Sequence, residues 1–193
     1  MSNLAREAQY LDADAFLRTG QSEFGTAWRY ELVRGVIVAH AAPTPDHGVI
    51  LGNLAAELHF HLRGRPGCRL EVGSGAVPRT ERRDTARIPD AMIRCDENPR
   101  VVFEVVSPFE LSHKRLRDER RSDLQAVEGV REIIEIYQDE VLAHAYRRHE
   151  SGWVFTSIAG TDGIIALPSV TISIALGALY DKIGPGEVEV DAI

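Results

Sequence analysis

Apolar residues recur every four positions at Ile50, Leu54, Leu58 and Leu62, the stripe of a helix with one face in a core. Thr44-Pro45-Asp46 starts that helix, because proline suits a first turn, and Gly64 with Pro66-Gly67 ends it. The rest of the chain is mostly short apolar runs between turn residues, the pattern of strands. Tyr30 to Val33 and Val36 to Ala39 flank Arg34-Gly35 and predict a hairpin. Two further runs each carry an acid: Ile88-Pro89-Asp90-Ala91-Met92-Ile93 and Val101-Val102-Phe103-Glu104-Val105-Val106, separated by a polar turn at Asp96-Glu97-Asn98-Pro99. A charged helix follows, from Ser112 to Val127 and closed at Gly129. Strands are predicted over 132–138, 141–147 and 153–158, shorter ones over 163–167 and 170–174, and a final helix over 175–183. Upstream, Asp12 caps a short helix with Phe16 and Leu17. A strand over 70–77 is weakened by Gly73 and Gly75, and 80–87 reads as a polar loop. The sum is an α/β (α+β) domain with a central mixed sheet flanked by helices. It divides into an N-terminal arm (1–27), one domain (28–183) and a loose acidic tail (184–193).

Composition narrows the class. At 193 residues the chain can bury a real core, and 44% hydrophobic with 26% charged residues is ordinary for a globular protein. No apolar stretch reaches the roughly 18 residues of a membrane span. No signal-peptide pattern opens the sequence, so Cys68 and Cys95 are expected as free thiols in a reducing cytoplasm. The net charge of −7 argues against non-specific coating of nucleic acid. A local basic strip remains: Lys114, Arg115, Arg117, Arg120 and Arg121, either a phosphate-facing helix or, with Asp118, Glu119 and Asp123 interleaved, a solvated face.

The two acids in apolar runs carry the candidate chemistry. A carboxylate inside a buried strand is costly unless it is paired or bound to a cation. Asp90 and Glu104 on adjacent strands have the layout to hold one hard divalent ion. Mg²⁺ wants oxygen ligands and keeps several waters; the Val105 carbonyl would be a third donor. The plainer readings are Asp90 as a turn residue after proline and Glu104 as one half of a buried ion pair with an arginine.

Pro89-Asp90 followed by Glu104-Val105-Val106-Ser107-Pro108 resembles the PD-(D/E)XK nuclease superfamily and, more closely, the Uma-two family of restriction-endonuclease-like proteins. Tyr30 to Val38, Pro43 to His47 before a helix, Gly129-Val130-Arg131-Glu132-Ile133 before a strand, and Ser173-Ile174-Ala175-Leu176 fall in the same order as in that family. The resemblance implies a restriction-endonuclease-like core, Mg²⁺ (or Mn²⁺) as cofactor, DNA as substrate and a homodimer. Carried over by position, Asp90 and Glu104 are the metal ligands, and Glu31 and His47 are supporting groups that are equally readable as a strand carboxylate and a helix-start histidine.

One departure matters. The superfamily usually places lysine two residues after the second acid, and here that residue is Val106. In this branch the cation comes from the following helix, which points to Arg120, or to Lys114 in another helix register. Arginine would stabilise phosphate charge but is a poor base. The alternative is a catalytically inactive nuclease fold that binds nucleic acid or protein. His59 and His61 point to different helix faces and make a poor zinc site. Phosphate-cradling glycine loops and a nucleophile elbow are absent from the sequence.

Overall fold

The computed structural model describes residues 11–27, 29–79 and 83–183. The first ten residues of the expected arm, Trp28 and the expected acidic tail at 184–193 fall outside them. Helix α1 (Ala13–Arg18) is capped by Asp12, whose side chain accepts from the Ala15 N–H. Its Phe16 packs with Tyr30, Leu32, Ala86 and Ile88, so this part of the expected arm lies on the domain. Strands β1 (Arg29–Val33) and β2 (Val36–His40) form the hairpin turning at Gly35. Helix α2 (Pro45–Leu62) begins at Thr44, whose hydroxyl caps the His47 N–H.

A six-stranded sheet follows, ordered β3 (Cys68–Val72), β4 (Ala91–Cys95), β5 (Asn98–Val106), β6 (Glu132–Tyr137), β7 (Leu142–His149) and β8 (Gly152–Ala159). Only β5 and β6 run parallel, so the connection between them must cross over, and it does so through α3 (Pro108–Ser112) and α4 (Lys114–Gln125). A small hairpin of β9 (Ile164–Leu167) and β10 (Ile172–Ala175) completes the fold.

The centre of the sheet, β4 to β6, is buried on both faces. On one, Ile50, Leu54, Leu58 and Leu62 of α2 meet Ile93, Val101, Phe103 and Val105, together with the β9–β10 hairpin. On the other, Leu124 of α4 meets Met92, Val102 and Ile133. Alternation along the strands therefore sends Glu104, in step with Val102, to the α4 side.

Four expectations are corrected. The charged helix is two helices, because Ser107 starts a capping box with Glu110 and the backbone leaves helical geometry at His113. The final helix is a short 3₁₀ turn over Leu176–Tyr180. The strand over 70–77 ends at Val72, before Gly73 takes a positive φ of 63°. The free thiols are instead a cross-strand disulfide, since Cys68 on β3 stands directly opposite Cys95 on β4. Among the described residues no helix is long and apolar enough to cross a membrane.

Candidate active site

The antiparallel register pairs Ala91 with Phe103, so Asp90, one residue earlier, stands opposite Glu104 at the mouth of β4 and β5. The pairing is closed by a side chain: Asp90 Oδ2 accepts the Val105 N–H at 2.8 Å. Both acids are buried, at 5% and 8% exposure; Glu104 is bound by Arg120 of α4, while the partners of Asp90 come from β1 and α2. Asp90 and Glu104 are thus cross-strand neighbours, and each is bound by a different arginine.

Each carboxylate has a cationic or polar partner. Asp90 Oδ1 accepts from Arg29 Nη1 of β1 at 2.8 Å, with His47 Nε2 3.5 Å away. Arg120 grips Glu104 with two bonds, from Nε at 2.9 Å and Nη2 at 3.2 Å. The same guanidinium reaches both oxygens of Glu31 through Nη1 at 2.6 Å and the Ile88 carbonyl at 3.0 Å. Glu31 is fully buried and also accepts from the Ile88 N–H and Arg87 Nη1, with His40 Nε2 3.2 Å away. Arg87 in turn holds Asp123 of α4. The buried ion pair weighed for Glu104 therefore exists, and it is made by the arginine in the expected cation slot.

Burial opposes charge on Asp90, but His47, Arg29 and the Val105 N–H outweigh it and hold the carboxyl well below the usual carboxylate range. Glu31 is held low against burial in the same way, chiefly by Arg120 and His40. Glu104 goes the other way. Burial pushes it up to about 8, with Arg120 pulling against that shift and Asp90 adding to it.

The basic strip splits in two. Arg117, Arg120, Arg121 and Leu124 share one face of α4 at three- and four-residue spacing and turn toward the sheet. Arg121 donates to Glu135 of β6 at 2.8 Å and lies over the Tyr146 ring. Lys114 and Arg115 turn outward to Asp118 and Glu119, and Lys114 keeps 74% of its side chain exposed. Arg120, not Lys114, is the cation brought to the acids. Four groups of the cluster were not singled out from sequence: Arg29, Arg87, His40 and Glu135, the last paired across the parallel ladder with Glu104. The sequence places Arg87 in a polar loop; it is instead buried, because its backbone bridges to Ala76 while its side chain joins Glu31 to Asp123. The one sequence signal for Glu135 was an acid inside the apolar run Ile133-Ile134-Glu135-Ile136.

Asp90, Val105, His47, Arg29 and Arg120 line a cavity of about 650 Å³. A second, open cleft of about 810 Å³ lies at the other end of β5, walled by Arg100, Arg131, Arg147 and Arg148, and contains none of the acidic pair.

Among the described residues no group of three or more His, Cys, Asp and Glu is placed to hold a metal. Two hard carboxylates nevertheless suit Mg²⁺, which commonly takes one or two from protein and the rest from water and phosphate. The donor types fit; the present partners of those oxygens are the guanidiniums of Arg29 and Arg120.

With this geometry in place, the similarities gain meaning. The family model described as "Uma2: Putative restriction endonuclease" matches residues 13–177. The chain belongs to the Uma2 family. The match spans every element from α1 into the closing 3₁₀ turn, including Glu31, His47, Asp90, Glu104 and Arg120. A solved structure described as a "putative nuclease belonging to DUF820" from Anabaena variabilis ATCC 29413 superimposes on this Uma2 chain with a TM-score of 0.69. It shares 16% sequence identity, with 89% of this chain and 98% of that one covered, so it supports the fold. Among curated proteins none matches the sequence.

Proposed function

We propose that this Uma2 protein is a metal-dependent endonuclease that hydrolyses phosphodiester bonds in DNA, and that it acts as a homodimer. The observation that carries the reading is the cross-strand opposition of Asp90, just before β4, and Glu104 of β5, with Asp90 lining a cavity and a buried cation from the next helix bound to Glu104. Asp90, Glu104 and the Val105 carbonyl would hold Mg²⁺ or Mn²⁺, which when bound supplies charge neutralisation and a more acidic water.

The chain's own groups have separable tasks. Arg29, His47 and the Val105 N–H fix the direction of the Asp90 carboxylate. Glu31 holds Arg120 at the level of Glu104, and Arg120 places a permanent positive charge where a phosphate gains negative charge. Neither Arg120 nor any other arginine serves as the base, so removal of the water proton falls to a carboxylate or to bulk solvent.

The grip of Arg120 on both Glu31 and Glu104 favours a second reading, an inactive fold that binds nucleic acid without cutting it. Incubation with supercoiled plasmid separates the two. The endonuclease reading predicts nicking with Mg²⁺ or Mn²⁺ that stops with chelator and falls at least 100-fold, on the order of losing one essential group, in Asp90→Ala and Glu104→Ala. Variants that remain folded and cut as well as the parent place the chemistry elsewhere. A parent that binds the plasmid and never nicks it supports the second reading.

A further inference from the structure

Opposite the acids, the 650 Å³ cavity has a different character. Its far wall is apolar: Val38 of β2, Pro43, and Phe109 and Leu116 of the crossover helices. Phe109 and Leu116 are 68% and 59% exposed, large side chains that no other part of the domain covers among the described residues. The Phe109 ring stacks on His113 with centroids 4.1 Å apart and planes at 28°, which leaves its other face open. Arg117 lines the same cavity, with its guanidinium over the Tyr137 ring. Its Nε and Nη1 are buried without a hydrogen-bond partner, as is Nε of Arg29 on the opposite side. A guanidinium withdrawn from water and left without an acceptor is costly, and an anion that enters the cavity supplies the acceptor.

We infer that the cavity accepts an unpaired nucleotide of the substrate strand, its base stacked on Phe109 and its phosphate on Arg117. The inference rests on the nuclease reading of the same cavity and narrows its substrate class. A paired base keeps both faces inside the duplex stack and presents only its edge, which leaves nothing for an exposed ring to stack on. An unpaired base offers a face, and base–aromatic stacking is tolerant of sequence. The volume is that of a pocket for one small ligand, not of a groove that seats a whole duplex. The apolar wall, the open ring, Arg117 and Asp90 all line this one cavity, which gives base, phosphate and scissile bond each a place in it.

The test is binding of a fluorescein-labelled single-stranded DNA of about 12 nucleotides and of its duplex, read by anisotropy in chelator so that no cleavage contributes. The single strand is expected to bind about tenfold more tightly than the duplex. Phe109→Ala should weaken single-strand binding about tenfold and leave duplex binding unchanged, and Phe109→Trp should restore it. Arg117→Gln should weaken it and flatten its salt dependence by about one phosphate contact. Equal or tighter binding of duplex, absence of single-strand binding, or indifference to Phe109→Ala overturns the inference. The outcome is separate from that of the nuclease reading. Phe109-dependent single-strand binding by a protein that never nicks DNA would remove the enzyme and keep the pocket; metal-dependent nicking without that preference would do the reverse.

Discussion

A carboxylate that loses its water must be compensated by something, and Asp90, Glu31 and Glu104 solve the problem differently. Asp90 and Glu31 gather enough cationic and N–H partners to stay well below the usual carboxylate range. Glu104, with one guanidinium and an acidic neighbour, is pushed up to about 8 by burial. Burial thus favours a proton on Glu104 in the native state over a wider pH range than in an unfolded chain, whose carboxyl lies near 4.5. Between those values the folded state binds more protons, so this group's stabilisation is fully present below about 4.5 and is lost as pH rises through about 8. The slope amounts to at most about 1.4 kcal/mol per pH unit. Urea midpoints from pH 5 to 8 should decline more steeply in the parent than in Glu104→Gln, and parallel profiles would contradict the raised carboxyl. The low-lying pair contributes the opposite dependence only at more acid pH. These acids were legible in the sequence because charge in an apolar run is conspicuous. Their partners were not: Arg29, Arg87 and His40 belong to no motif of their own and acquire meaning only through contacts 9 to 61 positions away along the chain.

Helix α4 shows how an element can hide its buried face. Its apolar contribution to the described core is Leu124, and periodicity had little else to detect. The inward stripe is charged instead, with Arg120 set against Glu104 of β5 and Arg121 against Glu135 of β6. A stripe of that kind is invisible until the parallel register places Glu104 beside Glu135. The helix α2, by contrast, was readable because its buried positions are all aliphatic. The pin through α4 makes a quantitative claim. Arg120→Ala strands the ionised Glu31 in the interior and removes the hydrogen-bond partner of Glu104, and breaking such a pair costs about 3–5 kcal/mol. The urea midpoint should fall accordingly; a loss below about 1 kcal/mol would mean that α4 is anchored by Leu124 alone.

At the scale of the molecule, the single parallel pair β5–β6 organises everything else. It forces the crossover that carries α4 over the acids, and it opens the cavity between that crossover and the β1–β2 hairpin. The alternation of strands and the mixed sheet followed from turn signals and short apolar runs. The disulfide did not, because pairing of Cys68 with Cys95 depends on β3 lying directly against β4, a neighbour relation that spacing does not encode. Net charge was similarly uninformative, since the −7 total averages over an acidic cluster and an arginine-lined cleft at opposite ends of β5. The whole account turns on whether the opposed carboxylates share a cation. Isothermal titration of the intact protein with Mn²⁺ at pH 8 tests this most directly. One ion per chain should bind the parent, and binding should vanish in Asp90→Asn and in Glu104→Gln while both variants keep the parent's circular dichroism. An absence of binding to the parent, or undiminished binding to folded variants, would contradict it.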